Sequence, residues 1–165
     1  FRLGVVASPV VGHEQYRDRL SIPYLTAAGV TSIRFRAIGP VEPKYLSLPG
    51  EEARIYNPAA LERPERFLCV TEGEIDAITA EMAGLPTIGI PGSSMWKPYF
   101  ARALRWYDRV FILADSDDKG AGVAFANKIA AAVQNAAVVP MPRDEDVNSF
   151  FVKNGPEALR DLLGL

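Results

Sequence analysis

The spacing of apolar positions changes character part of the way along the chain. In the first stretch, residues 18–25 (DRLSIPYL) and 30–38 (VTSIRFRAI) are β-branched and aromatic runs, and the TAAG segment ending at Gly29 predicts a hairpin turn between two strands. Residues 41–58 are broken by Pro43, Pro49 and Pro58, which predicts loops with short extended pieces and no helix before about residues 57–61. After ERPER the chain alternates. Residues 67–71 (FLCVT) form a short apolar run, and the segment after it carries Ile75, Ile78, Ala80 and Met82 in a helical pattern that stops at Gly84. TIGI (87–90), a PGSS turn, a helix near residues 99–107, RVFILA (109–114), an Ala-rich helix over 119–135, AAVVPM (136–141) and a helical tail repeat the alternation. The expected fold is therefore α/β: a βαβαβαβα run forming a parallel sheet with helices on both faces, preceded by a small β-rich subdomain. In such sheets, ligands lie beyond the carboxyl ends of the strands.

Composition narrows this little but excludes much. The 165 residues, 48% hydrophobic and 23% charged, suit one ordinary domain or two small lobes, and rule out a disordered or low-complexity chain. One Cys and one His cannot build a disulfide framework or a zinc site, so any bound metal must rely on carboxylates. His13 and Cys69 are assigned no chemistry. The apolar runs are too short to span a bilayer and no basic, apolar leader follows Phe1, so the cytoplasm is the expected compartment. A first residue other than Met is expected of a piece cut from something longer or of a processed product. The net charge of −2 is uneven: residues 1–66 hold nine Lys/Arg against seven Asp/Glu, and residues 67–165 nine against thirteen. We accordingly place the boundary between a basic, β-rich subdomain (1–66) and the α/β subdomain (67–165).

The acids fall where the fold predicts a site. TEGEID puts Glu72 at the tip of the first α/β strand with Asp76 four residues on, ADSDDKG puts Asp115 and Asp117 after the third, and PRDEDVN puts Asp144, Asp146 and Asn148 after the fourth. Carboxylates gathered this closely repel one another unless a cation neutralises them, and hard oxygen donors suit Mg²⁺ or Mn²⁺. Glu72, Asp76 and Asp117, each taken alone, also read as helix N-terminal residues complementing the dipole. A calcium loop starting at Asp115 is excluded, because its fifth and twelfth positions are Lys119 and Ala126.

VTEGEIDA followed by ILADSDDKGAG resembles the Toprim signature, an EG pair near a strand end and then DxDxxG, over residues 67 to about 155. The preceding residues resemble the N-terminal part of bacterial and phage primase catalytic cores, with RLSIP (19–23), IRFR (33–36) and PKYLSLPG (43–50) in the family's order. PRDEDVNSFFVKNGPEAL resembles that family's third acidic motif, with Asn148 where bacterial members usually have Asp. This resemblance implies a Toprim-like catalytic subdomain and a nucleotidyltransferase: DNA-templated synthesis of short RNA primers for replication by attack of a 3′-hydroxyl on the α-phosphate of a nucleoside triphosphate. It implies Glu72, Asp115 and Asp117 as catalytic residues, and Glu72, Asp76, Asp115, Asp117 and Asp146 as ligands to more than one Mg²⁺ or Mn²⁺ ion. It further implies Lys44, Arg36 and Arg19 on nucleotide phosphates, and Arg34, Lys97, Arg102 and Arg105 on nucleic acid. The implied partners are a single-stranded DNA template, ribonucleoside triphosphates, a replicative helicase and a separate zinc-binding template-recognition module, with no membrane.

Arg102, Arg105 and Arg109 are spaced for one basic helical stripe near Lys97, with a solvated face as the plainer reading. PGSS offers backbone N–H groups to phosphate. Trp96, Tyr99 and Trp106 are expected to pack rather than stack on bases. The competing functions are a Toprim nuclease using the same acids, and a non-catalytic Toprim nucleic-acid-binding or assembly module. A topoisomerase lacks a recognisable activated Tyr, and a phosphohydrolase built on DSD leaves Glu72 and the first lobe unexplained.

Overall fold

The computed structural model describes residues 1–116 and 120–165, and divides them into two compact units, Phe1–Glu52 and Ala53–Leu165. The first unit is an antiparallel sheet of four strands in the order β1 (Gly4–Val5), β2 (Leu20–Thr26), β3 (Gly29–Arg36), β4 (Tyr45–Ser47). β2 and β3 form the hairpin expected at TAAG, in register from Leu20 opposite Arg36 to Thr26 opposite Gly29, with a bulge at Tyr24/Leu25. A 3₁₀ turn, Glu14–Tyr16, covers the sheet. Its buried Tyr16 stacks on Phe35 with ring centroids 4.1 Å apart, and the Tyr16 hydroxyl donates to the Ser47 carbonyl at 3.1 Å.

The second unit carries four parallel strands in the order β6-β5-β7-β8: β5 (Phe67–Thr71), β6 (Thr87–Gly89), β7 (Arg109–Ala114) and β8 (Ala136–Pro140). Side chains alternate between its faces. Leu68, Val70, Val110, Ile112 and Ala114 pack with Phe100, Leu104, Phe125 and Ile129, whereas Cys69, Phe111 and Leu113 pack with Ala80, Met141, Leu159 and Leu163. Helices therefore cover both faces, α2 (Ala101–Leu104) and α3 (Ala121–Ala130) on one and α1 (Glu74–Met82) and α4 (Val147–Asp161) on the other. This is the expected mixed architecture, and burial on both faces is why the strands read as continuous apolar runs.

Four local readings are corrected. The helix over 99–107 is only the four residues of α2, because Pro98 opens a separate 3₁₀ turn, Pro98–Phe100. Arg109 lies in β7, so Arg102, Arg105 and Arg109 share no helical stripe. Met82 is exposed, whereas Ile78 and Ala80 of the same pattern are buried, with Ala77 beside them. The tail is two helical pieces merged across Gly155 (φ 86°, ψ 174°), since Pro156 clashes with a helical conformation at the residue before it.

Residues 53–66, grouped with the first lobe by charge, belong to the second unit. Tyr56 and Gly89 exchange backbone hydrogen bonds at 2.8 and 3.1 Å, and Asn57 Nδ2 donates to Glu81 Oε1 at 3.0 Å and the Thr87 carbonyl at 2.8 Å. Arg63 Nη1 holds Glu81 Oε2 at 2.9 Å. Among the described residues, no helix is long and apolar enough to cross a membrane.

Candidate functional site

The order β6-β5-β7-β8 reverses direction at β5 and β7, so the crevice beyond the carboxyl ends of these two strands is the topological switch point where open α/β sheets bind ligands. Val70 stands opposite Ile112, which puts Glu72 and Asp115 at nearly the same height at that end. Both are partly exposed. The Thr71 hydroxyl, itself buried, donates to the Gly73 carbonyl at 2.9 Å and fixes the turn that carries Glu72. Gly92 N–H donates to the Glu72 carbonyl at 3.0 Å, so the PGSS segment braces this loop from the β6 side. The Gly92 N–H is thereby taken up within the protein.

Glu72 precedes α1, and Gly73 is its extended N-cap, so Glu72 and Asp76 are related by a turn and not by helical i, i+4 geometry. A Cβ on Gly73 would lie 2.9 Å from Asp76 Oδ2, so a larger residue there would press on the Asp76 carboxylate. Asp76 is buried, and its Oδ1 accepts the backbone N–H of Asn148 at 3.1 Å. Asn148 Nδ2 donates to Thr79 Oγ1 at 2.9 Å. Asn148 thus fastens the start of α4 to α1 with its backbone and its amide together.

On the β7 side, Ser116 N–H donates to the Glu145 carbonyl at 3.0 Å, joining the loop after β7 to the loop after β8. Gly122, in the first turn of α3, lies against the Asp115 backbone so closely that a Cβ there would fall 2.3 Å from the Asp115 carbonyl oxygen. Asp146 caps α4: its Oδ1 accepts from Ser149 N–H at 2.6 Å, while Ser149 Oγ accepts from Asp146 N–H at 2.9 Å. Asp146 is therefore the cap of α4, with its side chain exposed at the same end of the sheet. Asp117 lies outside the described residues.

Three strand ends and two loop-to-loop hydrogen bonds bring Glu72, Asp76, Asp115 and Asp146 to one end of the second unit. Among the described residues, no three His, Cys, Asp or Glu side chains already stand close enough to close on a metal ion. The side chains placed there offer oxygen donors alone, the type that suits Mg²⁺ and Mn²⁺ and not zinc.

The basic residues separate into four groups. Arg34 and Arg36 project from the same face of β3, and Arg36 pairs with Tyr45 across the sheet. The Arg34 guanidinium lies 4.6 Å from the centre of the Tyr45 ring and Lys44 Nζ 6.0 Å from it, so Arg34, Arg36 and Lys44 gather around Tyr45 in one basic-aromatic patch of the first unit. Arg19, expected on nucleotide phosphate, is instead buried, with Nη1 donating to the Pro43 carbonyl at 2.8 Å and Nε to the Gln15 carbonyl at 3.3 Å. Its guanidinium ties two loops of the first unit together. Lys97 is exposed in the loop after β6, while Arg102 and Arg105 stand by the amino ends of the strands, away from the acids.

Sequence reasoning missed Thr71, Gly122 and the Asn148 to Thr79 bond. Only the first turn of α4 left a readable trace, since Asp146 and Ser149 have capping-box spacing.

Residues 69–151 match the family model described as Toprim-like, and 149 residues are 46% identical to the Gene 57 protein of Mycobacterium phage D29, covering 87% of this chain and 97% of that relative. The chain belongs to the Toprim-like family. It is 23% identical over 164 residues to the DNA primase of Thermotoga maritima, covering 91% of this chain and 29% of that protein. Its fold matches the RNA polymerase domain of Mycobacterium tuberculosis primase DnaG, solved in complex with double-stranded DNA, with a TM-score of 0.74, 23% identity and coverage of 92% of this chain and 54% of that one. The fold is thus that of primase catalytic cores, and the chain spans less than a third of the Thermotoga primase and about half of the matched Mycobacterium tuberculosis chain.

Proposed function

We propose that this chain is the catalytic core of a DNA primase, a nucleotidyltransferase that builds short RNA primers on a single-stranded DNA template from ribonucleoside triphosphates. The observation that carries this reading is the meeting of the Glu72, Asp115 and Asp146 loops at the switch point of a Toprim-like sheet, in a chain whose β-rich first unit also has its counterpart in primase cores.

In this reading, Asp115, Asp117, Asp76, Asp146 and Glu72 hold divalent cations. Bound Mg²⁺ or Mn²⁺ would lower the cost of ionising the attacking 3′-hydroxyl and offset charge on the departing pyrophosphate. Glu72, partly exposed at the tip of β5, accepts the hydroxyl proton directly or through water. Asp76 has its carboxylate oriented by the bond from Asn148 N–H to Oδ1. Arg36 and Lys44 neutralise nucleotide phosphates, the first by forked hydrogen bonds and the second as a point charge. Arg34, stacked on Tyr45, and the exposed Lys97 contact the template backbone. Template recognition through a zinc-binding module and contact with a replicative helicase fall to other segments or proteins, and the setting is the bacterial cytoplasm, as a phage protein.

The test is extension of a short RNA primer annealed to single-stranded DNA, with labelled ribonucleotides and Mg²⁺ or Mn²⁺, beside an Asp115→Asn control. Templated extension that disappears in the control supports the proposal. Shortening of the strand would move the chain to the nucleases, and DNA binding with neither reaction would make it a non-catalytic module.

A further inference from the structure

At the amino ends of β7 and β8, at the opposite end of the sheet from the acids, lies a cavity of about 390 Å³ between α2 and the turn that leads from α3 into β8. Its lining includes Arg102, Arg105, Tyr107, Val133, Gln134 and Asn135. Arg102 and Arg105 are three residues apart at the end of α2, and among the described residues neither guanidinium stands in an ion pair. Arg63, Arg66 and Lys153 of the same unit are paired with carboxylates. Two uncompensated guanidiniums at a concave wall attract an anion with at least two acceptor oxygens, and phosphate fits the fork.

The rest of the wall is unlike a bare anion site. Tyr107 brings a ring whose hydroxyl is already committed to the Leu61 carbonyl, Val133 is buried, and Gln134 holds an exposed amide. Asn135 gives its amide N–H to the Tyr107 carbonyl, which leaves its own oxygen to accept. Beside the cavity, Trp106 is 71% exposed with the Arg105 guanidinium 4.6 Å from its ring centre. An exposed Trp next to an unpaired Arg departs from the packing role that its sequence suggested, and it offers a flat surface to a flat ligand. Aromatic surface, amide groups and paired guanidiniums together suit a phosphorylated nucleoside, and the volume lies within the range of small-molecule sites.

We propose that this cavity is a second nucleotide-binding site, with phosphate on Arg102 and Arg105 and the base against Tyr107 and Trp106. It takes either a free nucleotide or one nucleotide of a single strand, and in neither case is the bound group in reach of the acids at the far end of the sheet.

Trp106 makes the site directly observable, since the other tryptophan, Trp96, is only 5% exposed. Adenosine monophosphate and a short oligoadenylate are titrated into the full chain while tryptophan emission is followed. Saturable quenching is expected, with affinity lower by about tenfold or more in an Arg102→Gln/Arg105→Gln variant and unchanged in Asp115→Asn. Circular dichroism checks that the double variant is folded; both changes are at exposed positions. In Trp106→Phe the quenching disappears, and calorimetry then reads the remaining binding. Equal molar affinity for both probes assigns the site to free nucleotide, and binding of the oligoadenylate alone assigns it to a strand. No quenching, quenching that survives in the double variant, or quenching by polyglutamate in place of either nucleotide probe would overturn the proposal.

Discussion

Asn148 N–H donates to Asp76 Oδ1 at 3.1 Å, across 72 positions of sequence, and the same residue's amide reaches Thr79 on the next turn of α1. Asn148→Ala keeps the first bond and loses the second. A net cost of about 1 kcal/mol is expected, leaving the Thr79 hydroxyl to its bond with the Ile75 carbonyl, and a melting temperature lower by about 2–4 °C. Differential scanning calorimetry checks it; an unchanged melting temperature would mean that the amide bond contributes nothing.

Gly122 has no room for a side chain. Gly122→Ala is expected to displace the Asp115 loop, since a Cβ would stand 2.3 Å from a backbone oxygen that no rotamer change can move. Destabilisation of about 1–3 kcal/mol is expected in urea melts, against little change for Val123→Ala at an exposed neighbouring position. If the chain extends primers as proposed, extension by Gly122→Ala should fall together with stability.

Asp146 offers a way to separate capping from metal binding. Asp146→Ala removes the acceptor for Ser149 N–H and should cost about 1 kcal/mol, whereas Asp146→Ser retains a capping oxygen and should cost only a few tenths. If the carboxylate also holds a divalent ion, Asp146→Ser stays near wild-type stability but needs a higher Mg²⁺ concentration for half-maximal primer extension. Extension by Asp146→Ser with an unaltered Mg²⁺ requirement confines this residue to its cap.

The second unit should lose stability in alkali. Burial pushes the Cys69 thiol up from an ordinary 9.0 to about 12, opposed by its hydrogen bond with Thr87 and reinforced by the charge of Glu81, and burial with the charge of Glu74 likewise pushes the Tyr56 hydroxyl above its ordinary 10.0. Both groups keep their protons in the folded chain where the unfolded chain releases them. Their contribution is complete below about pH 9 and is lost as pH rises toward 12. Melting temperatures measured from pH 8 to 11 should fall above pH 9, less steeply in Cys69→Val. The native thiol should also stay unreactive toward a disulfide reagent at pH 8 until the chain unfolds.

The strands of the second unit were legible because burial on both faces leaves an uninterrupted apolar run, and FLCVT and RVFILA stand almost where they were expected. The acidic strand ends were legible too, since turns after parallel strands must lie at the carboxyl edge. Contacts distant in sequence were not. Nothing near Arg19 foretells that its guanidinium is taken up by carbonyls at Gln15 and Pro43, and nothing near Trp106 foretells its exposure once α2 stops after four residues. A charge count could not detect that Tyr56 bridges to Gly89 and Arg63 to Glu81.

That last attachment determines where the chain can be divided. A fragment begun at Phe67, as the signature motifs alone would suggest, would strip Tyr56 from the edge of β6, uncover the backbone of Gly89, and leave Glu81 without Arg63 and Asn57. It would present a bare strand edge to any other chain in solution and invite aggregation. A fragment begun at Ala53 carries its own edge cover, and that is where a Toprim half intended for separate study has to start.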